Sequence, residues 1–117
     1  MQFTESLKKN FQFRHVYQKG KSIANRHLVL YMVKNGTHDH NRLGISVSKK
    51  VGNAVVRNRT KRRLRECFRP YLGDVKNGLY VFVARPSAAE ATFQSLEKSM
   101  RYLIRKQGVL KEGNRAQ

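Results

Sequence analysis

Hydrophobic side chains recur every three to four residues in three segments of the chain, which is the spacing of an amphipathic helix. The first segment covers residues 10–19, the second runs over about 53–69, and the third covers about 92–106. Pro70 directly follows the second segment and Gly108 follows the third, and both residue types commonly end helices. The pattern therefore predicts three helices.

Residues 27–34, 42–48 and 79–85 carry the pattern of β-strands. The first of these segments is apolar on both faces, as expected for a central strand. In the second, glycine and serine alternate with larger apolar residues, so one face is small and polar and leaves room for another group against the sheet. The order helix, strands, helix, strand, helix predicts a single α+β domain, a small α/β sandwich with helices packed on a short sheet.

The second predicted helix separates into two faces when it is wound at 100° per residue. Its apolar stripe, which we expect to pack on the sheet, consists of Val56, Thr60, Leu64 and Cys67, with Phe68 at the edge. The opposite and flanking positions carry Arg57, Asn58, Arg59, Lys61, Arg62, Arg63, Arg65 and Arg69. Because arginine forks bind phosphate oxygens bidentately, this helix is predicted to contact a polyanion.

Positive charge is concentrated in this same part of the chain. The 117 residues carry 25 Lys and Arg against 7 Asp and Glu, a net charge of +18, and ten of the cations lie between Arg42 and Arg69, where Glu66 is the only acid. A helix face built for solubility alone usually mixes both signs. Lys49 and Lys50 also stand beside the start of the helix, where free backbone N–H groups favour anions. The composition therefore favours a nucleic-acid partner.

The composition gives little support to other classes of function. No run approaches the ~18–20 apolar residues of a membrane span, and residues 1–10 lack the apolar core of a signal peptide, so we expect a cytoplasmic protein. The single cysteine, Cys67, excludes a disulfide framework and a CxxC zinc site, and its place in the apolar stripe favours a buried side chain. The acids are scattered, with no pair at metal-ligand spacing. We therefore expect no catalytic residue and no bound metal or cofactor in the polypeptide.

Aromatic residues supply a second candidate surface. Phe13 and Tyr17 on the first helix and Tyr31 on the first strand would line one groove if that helix lies across the sheet. Exposed aromatic rings beside a basic helix form a platform for unpaired bases. The same spacing is ordinary for side chains that pack in a core, so both interpretations stay open.

The residues from Arg42 to Glu66 resemble the signature of the bacterial ribonuclease P protein component. The segment reads RLGISVSKKVGNAVVRNRTKRRLRE, and its central element is RNRTKR at 57–62. The other matching positions are Asn10, Phe13, Val16, Tyr17, Gly20, the stretch SIANR at 22–26, and Ala84-Arg85. The resemblance covers roughly residues 10–105, nearly the whole chain.

That resemblance implies a small protein bound to a large catalytic RNA, which together remove the 5′ leader from precursor transfer RNA. It implies that the RNA subunit carries the Mg²⁺-dependent hydrolysis. It also implies the element order α-β-β-β-α-β-α of a ribosomal protein S5 domain 2-like fold, with an unusual left-handed strand–helix–strand crossover around the basic helix. Most such crossovers are right-handed, so periodicity alone would not predict this one.

The resemblance and the basic helix together assign roles to residues of a single RNA-binding domain, 1–117, with a loose tail from about residue 109. The predicted RNA-binding residues are Lys49, Lys50, Arg57, Asn58, Arg59, Lys61, Arg62, Arg65 and Arg69. A cleft between helix and sheet would receive the single-stranded leader, lined by Phe13, Tyr17, Tyr31, Ser46 and Val83.

Three other interpretations fit part of the pattern. A ribosomal or ribosome-assembly RNA-binding protein is the main alternative, because only the 42–66 signature separates it from a processing subunit. A reader of double-stranded DNA would carry a short helix and a tight turn before its recognition helix, whereas a strand and KKVG precede this one. A protein-only nuclease would need clustered carboxylates.

Overall fold

Five strands and three helices make up the part of the chain that the computed structural model describes, residues 4–6, 10–34, 41–71, 73–76 and 78–109. The strands are β1 (Thr4–Ser6), β2 (Lys21–Ala24), β3 (Leu28–Lys34), β4 (Asn41–Ser46) and β5 (Gly78–Ala84). The helices are α1 (Asn10–Lys19), α2 (Ala54–Phe68) and α3 (Phe93–Gln107). None of these helices combines the length and hydropathy that a membrane span requires.

The strands form one mixed sheet in the order β1-β4-β5-β3-β2. β3 is antiparallel to both β2 and β5, whereas β4 is parallel to β5 and β1 is parallel to β4. α2 joins the parallel strands β4 and β5, so the predicted strand–helix–strand connection is present, and its left hand stays a prediction. The implied order α-β-β-β-α-β-α is confirmed, with β1 as an additional edge strand that is too short to leave a periodic pattern.

The helix bounds agree with the sequence pattern to within one residue. α1 covers the predicted residues, while α2 and α3 each begin one residue later than predicted because Asn53 and Thr92 are their N-caps. The Asn53 side chain accepts a hydrogen bond from the Val56 N–H at 3.0 Å. Gly108 ends α3 in the left-handed conformation, with φ of 69°, which a glycine adopts without steric cost.

The strand predicted at 42–48 ends earlier in the structure, where β4 stops at Ser46. Ser48 turns the chain: its carbonyl accepts from the Val51 N–H at 3.0 Å and its hydroxyl oxygen from the Lys50 N–H at 3.3 Å. Such local hydrogen bonds compete with the ladder of a sheet. Val47 is nevertheless buried, as the apolar side of the pattern predicted.

α2 and α3 cover one face of the sheet and enclose the main core. The fully buried side chains of this core are Leu28, Leu30, Leu64, Val75, Tyr80, Phe82, Leu96, Met100, Leu103 and Ile104, with Cys67 and Phe68 at 1–2% exposure. Every member of the predicted α2 stripe is buried or packed against this core. The hydrophobic spacing therefore predicted correctly which side of α2 faces the sheet.

α1 covers the opposite face of the sheet, where it packs on β3 and β5. Val16 and Val81 are fully buried there. The side chains around them are half-buried: Phe13, Tyr31, Val33, Leu79 and Val83. The short helix thus leaves part of this face accessible.

The ends of α1 and α3 are held close to the sheet. The Gly20 N–H donates to the Val16 carbonyl at 2.8 Å, and a Cβ on Gly20 would lie 2.5 Å from that oxygen, so only glycine fits this approach. Beyond α3, Val109 is buried and its carbonyl accepts from the Lys76 N–H at 2.7 Å. Val109 is therefore not part of a loose tail, although the tail was predicted to begin at about residue 109. The rest of that tail lies outside the described residues.

Candidate nucleic-acid interface

Cationic side chains cover the side of α2 that points away from the sheet. Asn58, Arg59, Arg62 and Arg65 are exposed, and Lys61 is half-buried. The opposite side of the helix carries Thr60, which is 2% exposed and donates its hydroxyl hydrogen to the Val56 carbonyl at 2.9 Å. The division of α2 into a buried stripe and a cationic side is therefore confirmed.

Arg57 and Arg63 lie at the border between the two sides, and both are half-buried. Arg63 donates from Nη1 to the Ala91 carbonyl at 3.2 Å, which ties α2 to the segment before α3. Arg57 has a buried Nε with no hydrogen-bond partner in the described part of the chain. A buried donor without a partner is costly. RNA contact by Arg57 stays a prediction, because its buried Nε is not itself accessible to a ligand.

Arg69 differs from the other predicted RNA-binding residues because an acid engages it. Its Nη2 lies 2.6 Å from Glu66 Oε2, and both side chains are exposed, at 71% and 47%. An exposed pair of this kind contributes little to stability, about 0–1 kcal/mol. The carboxylate of Glu66 offsets part of the charge that Arg69 would present to a phosphate.

The start of α2 exposes two lysines and one apolar side chain. Lys49 and Lys50 are exposed in the turn before the helix, as predicted. The Asn53 side chain accepts a hydrogen bond from the Val56 N–H. The N–H groups of Ala54 and Val55 lie in the first turn, where a helix provides no carbonyl to accept from them. The Val55 side chain is 73% exposed, and the helical pattern did not single it out.

Cys67 is buried in the α2 stripe and is not placed to act as a nucleophile. Burial raises its thiol pKa to about 12, with smaller contributions in the same direction from the charges of Glu97 and Glu66 and an opposing one from Arg63. Cysteine reacts as the thiolate, which is scarce at neutral pH when the pKa is so high. The prediction of a small hydrophobic side chain is confirmed.

The aromatic residues predicted for the leader cleft lie together between α1 and the sheet. The Tyr17 and Tyr31 rings meet edge to face with centroids 4.9 Å apart, and the Phe13 ring lies 6.3 Å from Tyr17. Tyr17 is 39% exposed, while the other two are half-buried. These rings therefore pack on a small core and also remain accessible, and their role as a platform for unpaired bases stays a prediction.

Ser46 and Val83 belong to the same surface. They are register partners in the parallel strands β4 and β5, so their side chains share the face on which Val83 packs with Val16 and Val81. Gly44, two residues before Ser46, is paired with Val81 and adds no side chain to this face. The small face of β4 thus lies on the side of the sheet that carries α1, whereas the strand pattern predicted only that this face is small.

The basic helix and the aromatic cleft lie on opposite faces of the sheet. The sequence suggested that the rings stand beside the basic helix, but α1 and α2 pack on different faces. The reason is the alternation of β5, whose residues Tyr80 and Phe82 face α2 and whose residues Val81 and Val83 face α1. An RNA that reaches both surfaces must pass around an edge of the sheet.

Asn25 organises a corner of the molecule to which the sequence pattern gave no role. Its Oδ1 accepts from the Leu28 N–H at 3.1 Å, its Nδ2 donates to the Ser99 carbonyl at 3.0 Å, and its carbonyl accepts from Arg85 Nη1 at 3.1 Å. These bonds join the β2–β3 turn to α3 and to the end of β5. The stretch SIANR was the signal for this corner, but its bonds reach residues 60 to 74 positions away in the chain.

Comparison with known proteins agrees with this architecture. Residues 1–108 match the family model described as Ribonuclease P. The chain is 49% identical to the ribonuclease P protein component of Alkaliphilus metalliredigens over 91% of this chain and 96% of that protein. It is 47% identical to the component of Clostridioides difficile, over 88% and 91%.

Solved structures show the same fold. The ribonuclease P protein of Staphylococcus aureus superimposes with a TM-score of 0.84 at 40% identity, covering 91% of this chain and 97% of that one. The Thermotoga maritima protein gives a TM-score of 0.77 at 33% identity, covering 87% and 96%. The matches extend over most of the chain in sequence and in structure. The chain therefore belongs to the ribonuclease P protein family.

Proposed function

We propose that this chain binds the RNA subunit of ribonuclease P through α2, and the single-stranded 5′ leader of precursor transfer RNA through the cleft beside α1. In this proposal the RNA subunit carries the Mg²⁺-dependent hydrolysis, and the protein binds no metal or cofactor. The chain's family is that of the protein component of ribonuclease P, an endoribonuclease of transfer RNA processing, which partners with ribonuclease P RNA. The assignment of each surface to a particular RNA is ours.

The observation that carries the proposal is the cationic side of α2. Its exposed arginines project from a helix whose other side is sealed against the sheet, so they are held apart at intervals of about one helical turn. A row of guanidinium groups on a rigid helix favours a polyanion whose phosphates are also fixed in space. A large folded RNA meets that description, and we assign α2 to the RNA subunit.

We assign the cleft beside α1 to the leader because aromatic side chains line it, whereas arginines and lysines cover the outer side of α2. Unpaired bases stack on exposed aromatic side chains, and each such contact contributes roughly 1–3 kcal/mol. Tyr17 presents its ring to solvent while Tyr31 supports it from the sheet. The bases of a single-stranded leader are free to stack in this way, whereas those inside a folded RNA are largely paired.

Cleavage of a labelled precursor transfer RNA by a bacterial ribonuclease P RNA, at low Mg²⁺ with and without this protein, tests the proposal. We expect strong stimulation at the mature 5′ end and no cutting by the protein alone. The double variant Arg62→Ala/Arg65→Ala should stimulate less, while Arg14→Ala, which removes an exposed arginine from α1 on the other face, serves as the matched control.

Two results would overturn the proposal. Absence of stimulation together with tight binding to other structured RNA would indicate a ribosomal or ribosome-assembly role. Cutting by the protein alone would place an active site in this chain.

A further inference from the structure

The exposed side of α3 carries a second group of cations, separate from the α2 surface and the leader cleft. Lys98, Arg101, Tyr102, Arg105 and Lys106 line a surface depression of about 350 Å³. We name these five residues the α3 patch. Neither the basic-helix signature nor the family resemblance assigned them a role.

The α3 patch is held in place by the core on the other side of the helix. Leu96, Met100, Leu103 and Ile104 are fully buried, which turns the intervening positions of α3 toward solvent. The patch extends over nine consecutive positions of the helix, 98–106, which is about 12 Å along its axis. Its side chains therefore stand on a rigid support, as those of α2 do.

The charge of the α3 patch is of one sign. Glu97 is the only acid in the sequence of α3, and it lies toward α2, where its charge raises the pKa of Cys67. The four cations of the patch therefore have no acidic neighbour on the outer side of their own helix. A surface shaped for solubility alone usually alternates both signs.

Tyr102 gives the α3 patch a feature that solubility does not explain. Its side chain is 50% exposed, one of three exposed large hydrophobic side chains in the described ranges. The other two are Tyr17 in the leader cleft and Val55 on the basic helix, both on surfaces already proposed to bind RNA. An exposed ring among lysines and arginines is the combination that holds single-stranded nucleic acid, because the ring stacks on a base while the cations hold its phosphates.

We propose that the α3 patch binds an unpaired segment of the ribonuclease P RNA, with a base stacked on Tyr102 and the flanking phosphates held by the four cations. The inference rests on the proposed function and extends it to a second contact with the same partner. α3 packs beside α2 on the same face of the sheet, whereas the leader cleft lies on the opposite face. An RNA bound to the outer side of α2 continues onto the outer side of α3 without crossing the sheet.

Equilibrium binding of the full chain to ribonuclease P RNA alone, without transfer RNA and over a range of KCl concentrations, tests this inference. The variants are Tyr102→Ala, Tyr102→Phe, Arg101→Ala, and Arg14→Ala as the control on the opposite face. Thermal unfolding of each variant shows whether the fold is intact. Repeating the titration with precursor transfer RNA added distinguishes the two RNA sources.

We expect Tyr102→Ala to raise the Kd for ribonuclease P RNA by about fivefold or more, because stacking is lost, and Tyr102→Phe to stay within about twofold of the wild type. Arg101→Ala should flatten the dependence of log K on log salt by about one unit, as expected for one lost phosphate contact. Arg14→Ala should leave that slope unchanged.

Equal affinities of Tyr102→Ala and Tyr102→Phe would overturn the inference, and so would losses that appear only when precursor transfer RNA is present. If Arg62→Ala/Arg65→Ala weakens binding while the α3 variants do not, the inference fails and the proposed function stands. If the wild-type protein does not bind ribonuclease P RNA, both fail.

Discussion

The two faces of the sheet differ in how completely their apolar side chains are covered. Tyr80 and Phe82 of β5 face α2 and α3 and are fully buried, whereas Leu79 and Val83, on the alternate face, are half-buried beside α1. Two helices of 15 residues cover the first face, and one helix of 10 residues covers the second. The same strand therefore contributes to a sealed core on one side and to an accessible cleft on the other.

This difference predicts that substitutions on the covered face mainly change stability, whereas substitutions of the rings on the open face mainly change binding. The sealed face supplies the core and turns cations outward, so we expect an RNA bound there to be held mainly by charge. The open face keeps rings accessible, so we expect a strand bound there to be held mainly by stacking. The first kind of binding weakens steeply as salt rises, and the second does so less.

Removing a ring from each face is the strongest test of this comparison. Phe68 is buried and meets Phe82 edge to face at 6.0 Å, so Phe68→Ala should lower the free energy of unfolding by about 3–5 kcal/mol. Tyr17→Ala, at an exposed ring, should lower it by less than about 1 kcal/mol. Urea unfolding followed by circular dichroism measures both. Equal losses would mean that the α1 face is a core like the other.

The open face should show its role in binding rather than in stability. Tyr17→Ala is expected to weaken binding of precursor transfer RNA by the holoenzyme about fivefold or more, with little effect on mature transfer RNA, because only the precursor carries a leader to stack. Tyr17→Phe keeps the ring and should bind nearly as the wild type does. Equal losses of affinity for precursor and mature transfer RNA would contradict the proposed contact of Tyr17 with the leader.

The cationic layer should show its role through salt. Arg62→Ala or Arg65→Ala is expected to weaken binding to the RNA subunit and to flatten its salt slope by about one unit for each lost phosphate contact. Arg63→Ala is the neighbouring control, because its guanidinium is engaged with the Ala91 carbonyl. A slope that does not change in the Arg62 and Arg65 variants would show that the outer side of α2 is only solvated.

The smallest expected effect concerns His27, at the corner where the β2–β3 turn meets the segment after β5. Burial, and then the charge of Arg26, lower its pKa from the ordinary 6.5, and its Nδ1 lies 2.7 Å from Ser87 Oγ. The unfolded chain therefore takes up a proton at this histidine before the folded chain does, so stability falls as the pH drops from about 7 through the lowered pKa.

His27→Gln should reduce this loss of stability at low pH. Urea unfolding at pH 7.5 and at pH 5 measures the change for the wild type and for the variant. If the free energy of unfolding changes equally with pH in both proteins, His27 does not cause the loss of stability at low pH.

The sequence predicted α1, α2 and α3 to within one residue because caps and apolar spacing are local properties of the chain. It also predicted which side of α2 carries the cations, since that depends only on helical periodicity. β1 and β2 were not located because three or four residues show no clear period. The predicted end of β4 was two residues too late because the hydrogen bonds of Ser48 compete with the sheet ladder. The α3 patch was not predicted because its four cations are spread among apolar positions, whereas the density of positive charge along the chain is highest between Arg42 and Arg69.

The sequence by itself determined the three helices, the positions of β3, β4 and β5 to within two residues, the buried stripe of α2, the excess of positive charge and, through the segment from Arg42 to Glu66, the family. These properties depend on residue type and spacing along the chain. Only the tertiary structure decided that α1 and α2 lie on opposite faces of the sheet, that Tyr17 keeps its ring exposed beside Tyr31, and that α2 and α3 pack on the same face and turn their cations outward from it. The physical reason is that these features depend on which strands pair and on how much of each face the helices cover, and both arise from contacts between residues far apart in the chain.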